Sequence, residues 1–397
     1  MEYFLILRSF YTAKSKNMIY LQKNHKNVML ARFGVTNFKG FKDQIIIDLS
    51  TPSGYTFNPE CIKNKLVRSA MVYGYNGCGK SNLALAMFDI IEHLTDKKRD
   101  EDRYRYYLNA DSDLNYASFF YEFVLDGHLV RYDYRKSDYK TLLYESLTID
   151  SHNIITFDRS NGNIVFQVDL VGTEYLNCRI EDATLSALKY VKNNSVLGDD
   201  VYCKVFKEFY SFVEKMLFFR SLEDRTFIGL ETSSSFLTDG IVESGLVDFE
   251  NFLHAAGIDY SLSLSEIAGK KEIMVNFQNC QLPFFDIISS GTSSLTLFYY
   301  WYHRVLKHDV PFLFIDEFDA FYHSKLARAI VTLLKKLDIQ FILTTHNTSI
   351  MTNELMRPDC YFLMNRRSVR ALPECTDREL REVHNIEKIY KSGAFDE

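Results

Sequence analysis

The chain has 397 residues, room for one large domain or two moderate ones. Hydrophobic residues make up 47% and charged residues 25%, an ordinary balance for a soluble globular protein, and no apolar run approaches the roughly 18 residues a transmembrane helix needs. The net charge of −6 argues against a generally basic nucleic-acid binder, although it leaves room for a local basic groove. The seven cysteines are odd in number and include no C-x-x-C pair, which reads as reduced thiols in a cytosolic protein.

Residues 1–28 carry a short apolar run, Tyr3 to Leu7, followed by scattered lysines. They are expected to be a disordered extension, or the product of translation starting upstream of the fold's real beginning, too short in apolar length for a signal sequence and without a small-residue cleavage site. Met29 to Val35 and Gln44 to Leu49 read as strands joined by a turn at Phe38-Lys39-Gly40-Phe41. Ala70 to Tyr73 is a further short strand. It leads into Gly74-Tyr75-Asn76-Gly77-Cys78-Gly79-Lys80-Ser81, which fits the phosphate-loop pattern G-x-x-x-x-G-K-[ST], and a helix follows to about Leu94. Glycines let such a loop turn its backbone N–H groups inward onto phosphate oxygens, and the helix N-terminus adds partial positive charge. Lys80 is expected to reach the β- and γ-phosphates of a bound nucleotide and Ser81 to ligate Mg²⁺.

The charge run 97–103 reads as a surface turn, and an antiparallel meander follows over Phe119 to Val168, with hairpin turns at Asp126-Gly127 and Asn161-Gly162. Residues 180–257 read as mostly helical, clearest over Val201 to Phe219, where Val205, Phe209, Phe212 and Met216 form one stripe. Then come a strand at Glu272 to Phe277, a helix at Thr292 to Leu306, a buried strand at Pro311 to Ile315, a helix at His323 to Leu337, a buried strand at Gln340 to Thr345 and a last strand at Cys360 to Met364. Strands alternating with helices imply an α/β fold with a mostly parallel sheet.

Strand 311–315 ends in Asp316-Glu317. An Asp delivered at the carboxyl end of a buried strand holds Mg²⁺ in phosphate-loop NTPases, and Glu317 is placed to orient or deprotonate the attacking water. Strand 340–345 ends in His346, which can hydrogen-bond a γ-phosphate. Ile288-Ser289-Ser290-Gly291-Thr292 opens a helix with small residues and offers another anion site.

With these pieces in place, the sequence resembles the SMC/Rad50/RecF-like branch of ABC ATPases. Asn76-Gly77-Cys78-Gly79-Lys80-Ser81-Asn82 is similar to that branch's N-G-x-G-K-S-N loop, and Phe33 to Phe41 to its N-terminal strand and turn. More narrowly it resembles stand-alone ATPases of bacterial anti-phage and abortive-infection systems, of the PARIS AriA and AbiL type, through Ser289 to Thr292, Asp316 to Asp319, Thr345 to Asn347 and the tail Arg381 to Tyr390. The resemblance implies an ABC-type head over residues 29–397. An N-terminal ATPase lobe would span 29–178, a helical insertion 179–260 and a C-terminal lobe 261–397. ATP with Mg²⁺ would lie between two heads in a homodimer or larger even assembly. Gly74, Asn76, Gly77, Gly79, Lys80, Ser81 and Asn82 would bind it from one subunit, with Asp316 on the metal. Ser289 and Gly291 would bind it from the other, and Asp319 would communicate across the dimer. Glu317 would be the hydrolytic carboxylate, with Lys80 and His346 assisting.

Relatives of this type often control a separately encoded effector, commonly a Toprim-type nuclease, and a phage protein can be the trigger. A RecF-like ATPase acting on DNA is the alternative, with Arg366, Arg367 and Arg370 as a local basic patch. A fused nuclease is disfavoured: only residues 347–397 follow His346, and the D-x-D at Asp111 and Asp113 has no fold around it. The glutamine that such ATPases place near the metal has no clear position; Gln167 and Gln278 are the candidates.

Overall fold

The computed structural model describes residues 27–395 apart from 96, 98–100, 161–163, 222–226, 230–236, 268 and 308. The extension expected over residues 1–28 therefore lies outside the described residues but for its last two. So do the Asn161-Gly162 turn and the middle of the charge run.

Two seven-stranded sheets organise the chain. In the first, β1 (Val28–Thr36) pairs antiparallel with β2 (Ile45–Asp48) on one side. On its other side the meander runs outward through β6 (Ala117–Leu125), β7 (His128–Lys136), β8 (Leu142–Ile149), β9 (His152–Asp158) and β10 (Val165–Val168). The β6–β7 connection has both central residues at positive φ, Asp126 at 47° and Gly127 at 93°, as the two-residue hairpin turn requires. A small hairpin, β3 (Ile62–Lys63) with β4 (Leu66–Val67), leads into the second sheet.

That second sheet contains β5 (Ser69–Tyr73), β11 (Leu217–Arg220), β12 (Phe227–Gly229), β16 (Phe312–Asp316), β17 (Gln340–Thr345), β18 (Tyr361–Met364) and β19 (Val369–Ala371), in the order β12-β11-β16-β17-β5-β18-β19. The five central strands are parallel and only the two edges are antiparallel. Parallel strands buried on both faces read as continuous apolar runs, which is why Phe312 to Ile315 and Phe341 to Leu343 were legible. A third sheet of β13 (Leu262–Ile267), β14 (Lys270–Asn276) and β15 (Gln281–Pro283) precedes the long helix Ser290–Lys307.

The helix Lys80–Leu94 lies between the two large sheets. Phe88 packs on Phe218, Phe312 and Phe314 of the parallel sheet, while the Tyr121 hydroxyl of the antiparallel sheet donates to the Ala86 carbonyl at 3.0 Å. A helix covered on both sides must pair its polar groups internally. Asp89, fully buried, accepts from Lys136 Nζ at 2.8 Å and from the Tyr134 hydroxyl at 2.9 Å. The sheets are also tied by Gln340, whose amide accepts from Leu30 N and donates to the carbonyls of Leu30 and Val67 at 2.8–2.9 Å. One core cluster runs through both sheets.

The architecture is the expected α/β one, with a mostly parallel sheet and an antiparallel lobe. The helical reading of 180–257 needs correction. The helix expected over Val201 to Phe219 ends at Lys215, and Leu217–Arg220 is a strand of the parallel sheet, in register with Leu313 to Asp316. The segment between meander and third sheet thus contributes β11 and β12 to the nucleotide sheet as well as helices Ala187–Asn194, Val201–Lys215, Leu237–Ser244 and Leu246–Ala255.

Candidate nucleotide site

Because β5, β11, β16 and β17 run parallel, their carboxyl ends share one edge of the sheet, the edge at which α/β proteins bind ligands. Each end delivers one part of the site.

The phosphate loop leaves β5 at Gly74, exposes Tyr75, Asn76 and Gly77 to solvent, and enters the helix at Lys80. Its first and last glycines are sterically required. A Cβ at Gly74 would stand 2.6 Å from both the Met364 carbonyl and Cys78 Sγ. Gly79, at φ 116°, would drive one to 2.6 Å from the Phe41 ring. Phe41 belongs to the β1–β2 turn, so that turn shapes the loop. Asn82 reaches the same turn: its amide nitrogen lies 3.0 Å from where a Gly40 Cβ would be. Cys78 is inaccessible, and burial pushes its thiol pKa up, which keeps it protonated and inert.

Lys80 Nζ donates to the carbonyls of Gly74 (2.8 Å) and Tyr75 (3.3 Å) and lies 3.0 Å from His346 Nδ1. The same Nδ1 lies 3.3 Å from the Gly74 carbonyl, so lysine and histidine converge on that oxygen. The other ring nitrogen, Nε2, lies 3.4 Å from Glu317 Oε1. Lysine, histidine and glutamate therefore form one polar chain.

Asp316 is wholly buried. Its Oδ2 accepts from the Ser81 hydroxyl at 2.6 Å and lies 3.3 Å from Arg220 Nε; its Oδ1 accepts from the Thr344 hydroxyl at 2.6 Å. Thr344 Oγ1 in turn accepts from Glu317 N at 2.7 Å. This contact spans a residue in the left-handed region, Glu317 at φ 49°, a conformation that costs a non-glycine residue about 1–3 kcal/mol unless its surroundings hold it. One hydroxyl thus fixes both the metal-type carboxylate and the backbone of the neighbouring glutamate.

Asp319 accepts from the Thr345 hydroxyl at 2.6 Å, while its other oxygen is buried without a hydrogen-bond partner; burial raises its pKa. Ser289 caps its own helix, accepting from Thr292 N at 3.2 Å, and a Cβ at Gly291 would lie 3.5 Å from the Phe321 carbonyl. In the same helix the Ser294 hydroxyl lies 2.9 Å from that of Tyr322. So Lys80, Ser81, Asp316, Glu317 and His346 come together. Among the described contacts, Ser289 bonds within its own helix and Gly291 lies beside Phe321, and neither is joined to the phosphate loop.

Sequence reading missed two members of the site. Thr344 was passed over in favour of Thr345-His346-Asn347, although its position one residue inside the strand end is a usable signal. Arg220 follows the stretch Val201 to Phe219, which reads as helix, and nothing local marks it. The glutamine candidates fall elsewhere: Gln167 is on β10, the strand of the antiparallel sheet at the far end from β1 and β2, and Gln278 lies in the exposed bend between β14 and β15.

The donor set fits Mg²⁺ with nucleotide phosphates. Ser81 Oγ and Asp316 Oδ2 offer two adjacent oxygens, and Mg²⁺ characteristically takes one or two protein oxygens beside phosphate and water. No cluster of three or more His, Cys, Asp or Glu among the described residues could hold a metal alone. No described helix is long and apolar enough to cross a membrane.

A family model described as "AAA domain, putative AbiEii toxin, Type IV TA system" matches residues 220–352. No curated protein sequence matches the chain. Among solved structures, the chain is similar to an SMC head bound to the C-winged helix domain of ScpA (12% identity, TM-score 0.44, covering 86% of this chain and 96% of that one). It is similar to the SMC head domain from Thermotoga maritima (15% identity, TM-score 0.40, covering 86% and 98%). A third similarity is to the recombination mediator RecF with ATP (11% identity, TM-score 0.36, covering 87% and 100%).

Proposed function

We propose that the chain is a Mg²⁺-dependent ATPase of the ABC type that works as a pair of heads and controls a separate effector in a bacterial anti-phage, abortive-infection system. The observation that carries the ATPase reading is the convergence at Asp316: Ser81 of the phosphate loop on one carboxylate oxygen, Thr344 on the other, and Glu317 next in the chain. In this reading Lys80 binds the β- and γ-phosphates, and the loop residues Gly74, Asn76, Gly77, Gly79 and Asn82 shape and line the cradle. Ser81 and Asp316 hold Mg²⁺, and Glu317 takes or orients the proton of the attacking water while His346 bonds the γ-phosphate.

The shared site follows from the resemblance, and the exposure of Tyr75, Asn76 and Gly77 on the phosphate loop is in keeping with it. In this reading Ser289 and Gly291 are donors to a partner's nucleotide, and the buried Asp319 acts across that contact.

The defence role rests on the sequence resemblance, with the family description that mentions AbiEii in keeping with it. The effector would be a Toprim-type nuclease from a neighbouring gene, released by a phage protein, in the cytoplasm. The RecF-like reading, with direct DNA binding, is favoured by one observation: Arg366 and Arg367 are exposed on the turn that abuts the phosphate loop at Met364. Co-purification of the tagged chain with its neighbours' products separates the two. A stoichiometric nuclease-like protein, altered by Lys80→Ala or Glu317→Gln, supports the sensor. Recovery of DNA alone, increased in Glu317→Gln, overturns it in favour of the repair ATPase.

A further inference from the structure

Arg220 has no place in the function described so far, yet it reaches the most deeply buried carboxylate of the site. It ends β11, directly opposite Asp316 in the parallel register, and the backbone beyond it is pinned by Ser221 N donating to the Asp316 carbonyl at 3.2 Å. Its Nε is 3.3 Å from Asp316 Oδ2, the oxygen that also accepts from Ser81. A carboxylate without solvent contact needs a counter-charge. Lys80, the other cation of the site, is turned onto carbonyl oxygens and His346, so the charge on Asp316 is balanced by Arg220.

A Mg²⁺ ion between Ser81 Oγ and Asp316 Oδ2 would put two positive charges where the guanidinium now pairs. Like-charge repulsion then favours release of the arginine. The side chain is 30% exposed, at the rim rather than sealed in, so it can swing without unpacking the core. A freed guanidinium carries five donors in a fork that matches phosphate oxygens.

On the reading of the site as an ATP–Mg²⁺ centre, we propose that Arg220 is a positioning residue acting within its own chain. It holds Asp316 while the site is empty, yields that carboxylate to Mg²⁺, and then contacts the terminal phosphate of the bound nucleoside triphosphate. The proposal assigns β11 a role in telling triphosphate from diphosphate.

The test measures binding without turnover. Wild type, Arg220→Ala, Arg220→Lys and Lys80→Ala are titrated with fluorescent ATP and ADP analogues at graded Mg²⁺. The expected result for Arg220→Ala is roughly tenfold weaker ATP–Mg²⁺ binding, unchanged ADP–Mg²⁺ binding, and half-saturation at lower Mg²⁺ because Asp316 has lost its competing cation. Arg220→Lys, which keeps the charge without the fork, should restore the Mg²⁺ dependence but not the full preference for ATP; it also serves if the alanine variant does not fold. Wild-type-like ATP preference and Mg²⁺ dependence in either folded Arg220 variant, with binding lost in Lys80→Ala, overturns the role of Arg220 alone. Failure of the wild type to bind either nucleotide overturns both this role and the ATP site it rests on.

Discussion

The Lys80 ammonium lies 3.0 Å from Nδ1 of His346, which joins the phosphate-loop lysine to the residue that follows β17. His346 continues to Glu317 through its other nitrogen at 3.4 Å. On the proposed ATP reading, an incoming phosphate would replace the groups that engage Lys80 and would free His346 and Glu317 to act together. Lys80→Ala should weaken ATP binding by roughly ten- to hundredfold, the loss of one charge-assisted contact, measured by fluorescent-analogue titration.

Glu317 is held by its own backbone contact to Thr344 and by His346, so its carboxylate can be neutralised without collapsing the loop. Glu317→Gln is expected to keep ATP binding and to slow phosphate release by about 10²–10⁴-fold. It should also raise the nucleotide-dependent dimer fraction in size-exclusion light scattering.

Lys136 and Asp89 pair at 2.8 Å with neither exposed. Removing one charge leaves the other buried and alone, so Lys136→Met should destabilise the fold by about 3–5 kcal/mol in denaturant titration. Because Asp89 is on the phosphate-loop helix, the loss should also weaken nucleotide binding.

Gln340 satisfies three backbone groups across the two sheets. Gln340→Leu is close in volume but orphans all three, and a loss of about 3 kcal/mol is expected by the same measurement.

Asp319 has a pKa raised above 3.8 by burial. The unfolded chain therefore gives up this proton at lower pH than the folded one. The associated stability is present below the ordinary carboxylate range and is lost as pH rises through the folded pKa. Asp319→Asn should flatten the fall in unfolding free energy over that window; an unchanged slope would rule out Asp319 as its source.

What could be read from the sequence was local. The phosphate loop, the Asp316-Glu317 strand end and the meander each announce themselves within ten residues or so, because loop glycines, apolar runs and turn dipeptides act over short distances. Leu217–Arg220 escaped notice because its four residues continue the apolar spacing of Phe212 and Met216, and short buried strands and helix ends look alike by period. Leu262–Ile267 alternates as a strand should, yet it lies between the helical stretch 180–257 and the strand at Glu272 to Phe277 and receives no element from the sequence. Arg220 and Gln340 act through partners far away in sequence, on Asp316 and Leu30, and no local pattern encodes such pairings.

The most direct test of the site is Mg²⁺-dependent phosphate release from ATP by wild type, Lys80→Ala, Asp316→Asn and Glu317→Gln at equal protein concentration. The account predicts release by the wild type that rises more steeply than linearly with protein concentration, as a shared site requires, and near-background release by all three variants, with ATP still bound by Glu317→Gln. Release that persists in the variants, or none from the wild type at any protein concentration, would contradict it.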